Sequence, residues 1–124
     1  MELLLMFTKG DYVYADTPEK IFYHDVEPAA QKKALDALKH QSGRVFTDTV
    51  TYEPWHDIDC FYFFCDSDQA LALPIQQHMA SLLGLDAASF HSQGSHSPFL
   101  SQPQEVVEGL EYAAKVGLEK TSAA

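Results

Sequence analysis

The stretch Ile58-Asp-Cys-Phe-Tyr-Phe-Phe-Cys-Asp-Ser-Asp68 decides the fold class of this chain. Its apolar run from Cys60 to Cys65 is unbroken, which is typical of a strand buried on both faces in a parallel sheet flanked by helices. The run leads directly into two carboxylates, Asp66 and Asp68. Because binding and catalytic groups collect beyond the carboxyl ends of strands in open α/β sheets, the sequence predicts a functional site here.

A single histidine follows the next predicted strand. His96 lies in the loop Gly94-Ser-His-Ser-Pro-Phe99, whose small residues let an imidazole move over a site, as a general base must. An acid after one strand and a histidine after the next is the Asp…His half of a nucleophile–His–acid triad. Position alone does not separate Asp66 from Asp68 as the acid. A Gly-x-Ser-x-Gly nucleophile motif does not occur among these 124 residues.

After Trp55 the pattern of the chain predicts strand, helix, strand and helix. The apolar residues of the first helix recur at helical spacing, and Gly84 ends it; they are Ile75, Met79, Leu82 and Leu83. A short strand follows at about 88–92. Ser101-Gln-Pro-Gln104 has the pattern of a capping box. It predicts a last helix to about Leu118, with Val106, Leu110, Ala113 and Ala114 facing inward. This order implies two parallel strands joined by a right-handed crossover.

Before Trp55 the predicted elements are helical. Thr17-Pro18-Glu19 is typical of a helix start, and the helix should run to about Tyr23. Pro28 begins a second helix, which should end before Gly43. One face of that helix is formed by Ala30, Ala34, Leu35 and Leu38. The stretch 45–52 is predicted to be an extended connection.

Composition limits the class of protein and its partners. The length of 124 residues allows one domain at most, and 46% hydrophobic residues argue against disorder. The chain has 18 acidic and 8 basic residues, a formal net charge of −10, which disfavours nucleic acid or an anionic membrane as a partner. The aromatic residues lie in apolar runs and not between basic ones, so no platform for stacking bases is predicted.

The two cysteines and the terminal segments indicate a cytoplasmic location. Cys60 and Cys65 lie at an odd separation in one predicted strand, so they point to opposite faces and should stay reduced. The apolar segment 1–7 is too short to span a bilayer and lacks the basic start of a signal peptide. The final residues contain no peroxisomal or retention signal.

A metal site is the rival chemistry for the same region. Its ligands would be Asp66, Asp68, His91 and His96. The two histidines lack the i, i+4 spacing of zinc enzymes, and there is no Cys/His quartet, so no metal or other cofactor is predicted. The other five histidines are interpreted as structural or solvent-facing; they are His24, His40, His56, His78 and His91.

Three motifs carry a resemblance to a known family. They are Tyr52-Glu-Pro-Trp55, Cys65-Asp-Ser-Asp-Gln69 with Leu73-Pro74, and His96-Ser-Pro-Phe-Leu-Ser101 with Pro103 and Glu105. Together they resemble the C-terminal part of an α/β-hydrolase. The subgroup that the chain resembles most is the fungal and bacterial one similar to plant methylesterases and hydroxynitrile lyases. The resemblance extends from about Tyr12 to Leu118.

The resemblance implies a fold, an activity and site residues. Asp68 matches the triad acid, which leaves Asp66 as its neighbour, and His96 matches the triad histidine. The fold would be a partial α/β-hydrolase, with its last two parallel strands and flanking helices. Residues 1–55 would be the tail of the helical cap, and residues 56–124 the C-terminal part of the hydrolase domain. The implied activity is hydrolysis of a small carboxylic ester by a Ser-His-Asp triad.

The departure from the family pattern is equally clear. The family's serine, its oxyanion-hole loop and its first six strands are not among these residues. The sequence therefore looks like the back half of such an enzyme, a truncated gene product or a genuine fragment, and predicts an inactive isolated chain. The alternative hypothesis is a non-catalytic remnant that serves as a binding module. Either could associate with another copy through an exposed strand edge.

Overall fold

The computed structural model describes residues 6–84 and 86–123, and these form two small sheets with flanking helices. The strands are β1 (Met6–Lys9), β2 (Tyr12–Ala15), β3 (Gln41–Ser42), β4 (Phe61–Cys65) and β5 (Ala88–Ser92). The α-helices are α1 (Pro18–Ile21), α2 (Pro28–Ala37), α3 (Leu73–Ser81), α4 (Pro98–Ser101) and α5 (Pro103–Ala123). None of the described helices is long and apolar enough to cross a membrane. The prediction that segment 1–7 is neither a membrane span nor a signal peptide concerns residues that lie mostly outside the described ones.

The parallel pair β4 and β5 positions the site. The two strands run in the same direction with Phe63 opposite Phe90, and α3 connects them, which confirms the predicted β-α-β order. The Phe63 and Phe90 rings stack at 5.5 Å between centroids. Phe64 and Cys65 are buried at the carboxyl end of β4. That end of the strand is therefore the best-packed part of the pair.

Helix α5 packs on this pair through a glycine. A Cβ built on Gly109 would lie 2.6 Å from the Phe63 ring, so only a glycine allows the helix to come this close. The predicted inward position of Leu110 is wrong, because this side chain is 66% exposed. Ala114 is exposed as well. Since successive helical residues are turned by about 100°, a face centred on Gly109 directs Leu110 away from the sheet.

The start of α5 also differs from the predicted capping box. Ser101 ends the short helix α4, and the Gln102 N–H donates to the Pro98 carbonyl. The Ser101 hydroxyl is buried and has no hydrogen-bond partner within the described chain, so it does not cap α5. Ser101, which the sequence pattern assigned to the cap of α5, instead belongs to the short helix that begins at Pro98. Helix α5 extends beyond the predicted end, to Ala123.

Helix α3 presents a polar residue to the sheet. Gln76 is 2% exposed, whereas Met79 and Leu82, two of the apolar residues at helical spacing, are exposed. The predicted helix is confirmed, but the face in contact with β4 is the one that contains Gln76. The side-chain amide of Gln76 has partners on the backbone of β4, which explains why burial tolerates it.

The first part of the chain contains an antiparallel sheet that the sequence analysis did not predict. Strands β1 and β2 form a hairpin, with Gly10 at φ 63° in the turn, and β3 pairs with β2. The predicted helices α1 and α2 are present. The predicted extended connection at 45–52 is wrong in part, because Gly43–Phe46 forms a 3-10 helix. Its first turn is capped by the Ser42 hydroxyl, which accepts from the Arg44 N–H.

Candidate active site

The carboxylate of Asp68 is anchored in a turn directly after β4. Its Oδ1 accepts hydrogen bonds from the backbone N–H groups of Ala70 (2.8 Å) and Leu71 (2.9 Å). The Asp68 N–H donates to the Cys65 carbonyl at 3.2 Å, which closes the turn. The side chain is only 5% exposed. Because one oxygen is held by the backbone, the other oxygen, Oδ2, has a defined direction.

That direction points to His96. The Oδ2 of Asp68 lies 2.9 Å from Nδ1 of His96, although the two residues are 28 apart in sequence. A carboxylate only accepts, so Nδ1 carries the proton and Nε2 keeps its lone pair. The His96 side chain is 40% exposed, and its Nε2 has no hydrogen-bond partner among residues 6–84 and 86–123. The structure thus brings Asp68 and His96 together in the arrangement that a general base requires.

Asp66 is engaged elsewhere. Its Oδ1 lies 2.7 Å from Nδ1 of His91, and its Oδ2 accepts from the Gln93 amide at 3.3 Å. The His91 ring stacks on Phe64 at 4.4 Å between centroids. The structure therefore contains two neighbouring Asp–His pairs, and only the Asp68 pair includes the loop histidine. This geometry separates the two acids where sequence position did not.

Another carboxylate, Glu105, holds the end of β5 just before the histidine loop. It accepts from the hydroxyl of the buried Ser92 and from the Gln93 N–H at 3.0 Å. The Ser92 hydroxyl in turn accepts from the Gly94 N–H at 2.9 Å. Glu105 lies in the first turn of α5, so the helix and the loop are joined at this point.

A further carboxylate, Asp25, reaches the same loop from the segment between α1 and α2. It accepts from the N–H of Ser95 at 2.9 Å and from the Ser95 hydroxyl. Burial would raise the pKa of Asp25, but hydrogen bonds from the Ser95 side chain and from backbone N–H groups outweigh it, so the pKa is lowered. Sequence reasoning missed Asp25, because nothing in the sequence links it to a serine 70 residues away.

Two neighbours of Asp25 also contact the site. The Phe22 ring stacks on the His96 imidazole at 5.0 Å between centroids. The Nε2 of His24 lies 2.8 Å from the Ser67 carbonyl, inside the turn that carries Asp68. His24 was interpreted from the sequence as structural or solvent-facing, and this contact is structural. The only sequence signal for Phe22 was its place among aromatic residues.

The end of β4 is held from the side by Gln76. The Cys65 N–H donates to Gln76 Oε1 at 2.9 Å, and Gln76 Nε2 donates to the Cys65 carbonyl at 2.8 Å and to the Leu71 carbonyl at 2.7 Å. These bonds connect the strand end to the turn in which Asp68 lies. They therefore fix the backbone on both sides of the carboxylate.

Cys65 is close to these acids but is not suited to be a nucleophile. Burial raises the pKa of its thiol to about 11, and the charges of Asp68 and Asp66 add to the effect. The reactive form of cysteine is the thiolate, so Cys65 stays unreactive near neutral pH. Both cysteines are free thiols. Within the part of the chain that the structure describes, no three His, Cys, Asp or Glu side chains are grouped to hold a metal ion.

Comparison with known proteins identifies the family of the chain. A family model described as "Alpha/beta hydrolase family" matches residues 3–109. The chain belongs to the alpha/beta hydrolase family. Since the match covers most of the chain, both sheets and the Asp68–His96 pair lie within it.

The individual relatives are hydrolases by description. An "Alpha/beta hydrolase nvfD" from Aspergillus novofumigatus (strain IBT 16806) is 28% identical over 105 residues, which are 85% of this chain and 42% of that protein. The crystal structure of polyneuridine aldehyde esterase superposes with a TM-score of 0.71 at 14% identity, covering 88% of this chain and 47% of that one. A pyrethroid hydrolase, PytH, superposes with a TM-score of 0.71 at 20% identity, covering 93% and 48%.

This member of the family therefore spans about half the length of these relatives. The structural similarities confirm a partial α/β-hydrolase fold, as the sequence predicted. None of these comparisons favours the binding-module alternative.

Proposed function

We propose that Asp68 and His96 are the acid and the general base of a serine-dependent hydrolase that acts on a small carboxylic ester. The observation that carries the proposal is the 2.9 Å contact between Asp68 Oδ2 and His96 Nδ1, with the Nε2 side of the imidazole left accessible. The structurally similar proteins include an esterase and a pyrethroid hydrolase, and this similarity supports the ester as the substrate class. The serine is not among these 124 residues.

The roles follow from the geometry. His96 Nε2 would take the proton of the serine hydroxyl as that oxygen attacks the ester carbonyl, and would then give it to the departing alcohol. Asp68 would keep Nδ1 protonated, orient the ring and stabilise the imidazolium that forms. The two backbone bonds to Asp68 Oδ1 keep the carboxylate from rotating.

The proposal also includes the organisation and location of the chain. Residues 56–124 would form the C-terminal part of the hydrolase domain, and residues 1–55 the tail of its cap. The contacts of Phe22, His24 and Asp25 with the site support a cap that lies over it. The two free thiols support a reducing, cytoplasmic environment.

A chimera tests the proposed roles. The part of the fungal relative that this chain does not match is joined to residues 6–124, and hydrolysis of a short-chain aryl ester is measured. We expect His96→Ala to lower kcat by about 10⁴-fold or more, because it removes the general base. Asp68→Asn should lower it by about 10⁴-fold, the effect of losing the acid of a serine triad.

The neighbouring Asp–His pair provides matched controls. His91→Ala and Asp66→Asn make the same chemical changes in the other pair and should leave kcat within about threefold. Circular dichroism checks that each variant is folded. Equal losses of kcat in the two sets of variants would contradict the assignment. The unfused chain should show no turnover above background. Turnover by that chain that disappears in His96→Ala would show that it contains a nucleophile of its own.

A further inference from the structure

The Asp25 carboxylate holds Ser95, the residue next to His96. The proposal that follows rests on the role proposed above for His96. We propose that Asp25 is a positioning residue, which fixes the histidine loop through Ser95 and thereby keeps the His96 imidazole on Asp68. Asp25 does not touch the imidazole or a reacting atom. It acts from the cap segment, outside the sheet that carries the acid.

The first step is that Ser95 is held mainly by Asp25. Ser95 is 0% exposed, so its N–H and hydroxyl must find partners within the protein. Both bond to the carboxylate of Asp25, one to each oxygen. The remaining contact of the hydroxyl is a longer one, 3.4 Å, to the Phe22 carbonyl in the same segment. Bonds to an ionised acceptor are about twice as strong as neutral ones, so this attachment is firm.

The second step is that Ser95 controls His96. The two residues are adjacent, and the loop begins at Gly94, a residue type with the widest backbone freedom. Fixing the N–H and the side chain of Ser95 removes that freedom immediately before the histidine. A catalytic imidazole must be held within about 0.5 Å of its working position, so a bond one residue away has leverage.

The third step is that the same segment contacts both partners of the Asp68–His96 bond. Phe22 stacks on the imidazole, and His24 binds the Ser67 carbonyl in the acid turn. Asp25 completes this set by holding the loop. A segment that only covered the site would not need a bond to each of the two loops. The two loops are also joined directly, by the Ser67 N–H that donates to the Gly94 carbonyl at 3.2 Å. The cap segment adds a contact to each loop, and its bond to Ser95 lies closest in sequence to the histidine.

The experiment reads the Asp68–His96 hydrogen bond directly, in the 124-residue chain. Histidine ring nitrogens are labelled with ¹⁵N, and exchange of each Nδ1 proton with water is measured by NMR. The signals are assigned with His96→Ala and His91→Ala. The Nδ1 proton of His91, bonded to Asp66, is an internal control in the same spectrum. Asp36→Ala removes an exposed carboxylate elsewhere in the cap segment and is the control variant.

We expect Asp25→Ala to raise the exchange rate of the His96 Nδ1 proton at least tenfold and to leave that of His91 unchanged. Asp25→Asn keeps one acceptor oxygen and should restore most of the protection. Ser95→Ala removes only the hydroxyl and should give an intermediate rate, which preserves the test if Asp25→Ala does not fold. A His96 rate unchanged in folded Asp25 variants would overturn the proposal. Equal increases at His91 and His96 would do so too, since they would indicate a general loss of structure.

This readout is independent of ester hydrolysis. An inactive chimera whose His96 signal depends on Asp25 would refute the proposed function and leave the positioning role intact. An active chimera whose His96 signal does not depend on Asp25 would refute the positioning role and leave the proposed function intact.

Discussion

The side-chain amide of Gln76 pairs with both backbone groups of Cys65, as a neighbouring strand would. The Cys65 N–H and carbonyl point to the edge of β4 that faces away from β5, and the amide binds both, at 2.9 Å and 2.8 Å. A helix residue thus supplies one rung of a sheet ladder. The rung lies three residues before Asp68, so it holds the strand end from which the acid turn begins.

Replacing Gln76 should therefore cost stability. Gln76→Leu keeps the volume but leaves the buried N–H and carbonyl of Cys65 without partners, which costs about 1–3 kcal/mol for each unsatisfied group. The free energy of unfolding in urea should fall by that order. Gln77→Leu makes the same change at an exposed position and should alter it by less than about 0.5 kcal/mol. Equal unfolding midpoints for the two variants would show that the Gln76 bonds contribute nothing.

The two glycines of α5 should respond to alanine with opposite signs. Gly109→Ala places a methyl group 2.6 Å from the Phe63 ring, and such overpacking costs about 1–3 kcal/mol. A Cβ at Gly117 would meet no atom within 4 Å, so Gly117→Ala should stabilise the helix by up to about 1 kcal/mol. Thermal unfolding followed by circular dichroism measures both. A stabilising Gly109→Ala would mean that α5 does not approach the sheet this closely.

The thiol of Cys65 should titrate far above an ordinary cysteine. In a Cys60→Ala variant, alkylation of the single remaining thiol should be slow at pH 8 and rise until about pH 11, the raised pKa of Cys65. In urea the same reaction should level off near the ordinary value of about 8.5. Since the unfolded thiol ionises first, stability should fall as pH rises between these two values. An inflection near pH 8.5 in the folded protein would contradict the burial of this group.

Asp25 should make the fold sensitive to acid. Its pKa is lowered in the folded state, so the unfolded chain binds a proton at higher pH than the folded chain does. The contribution of Asp25 is therefore fully present above about pH 3.9, the ordinary value for aspartate, and is lost as pH falls through the folded value. Urea midpoints measured from pH 6 to pH 2 should fall less steeply in Asp25→Asn. Parallel curves for the two proteins would contradict this expectation.

The other edge of β4 should lead to self-association of the chain. Within the described residues β4 pairs only with β5, and Gln76 covers the backbone of Cys65 but not that of Phe61 or Phe63. Exposed apolar side chains lie nearby, among them Ile58, Met79 and Leu82. An open edge beside apolar surface favours pairing with another chain. Light scattering should show oligomers; a monomer that melts in one sharp transition would refute the prediction.

The order of elements around the acid and the histidine could be predicted because local patterns determine it. The sequence contains an unbroken apolar run, a helical repeat and a second short strand. These features place Asp68 and His96 beyond the carboxyl ends of a parallel pair of strands, wherever the rest of the chain lies. The choice between Asp66 and Asp68 needed the family resemblance. Strand order alone leaves both acids within reach of a histidine, and the structure shows that each has one.

The remaining features depend on contacts between distant residues. The hairpin of β1 and β2 has strands of four residues each, too short for a reliable period. The inner face of α5 is set by the close approach at Gly109, not by its largest apolar residues. The bond from Asp25 to Ser95 is invisible in sequence because both residues are common in ordinary turns.

The bond between Asp25 and Ser95 also has a consequence for how the protein folds. It closes a loop of 70 residues, whereas the turn around Asp68 closes within a few. The entropy lost on closing a loop grows with its length, and contacts of high sequence separation form late. The acid turn can therefore take shape with β4 and α3, while the histidine loop waits for the segment before α2 to dock. During synthesis and refolding, the last part of the site to become ordered should be the imidazole.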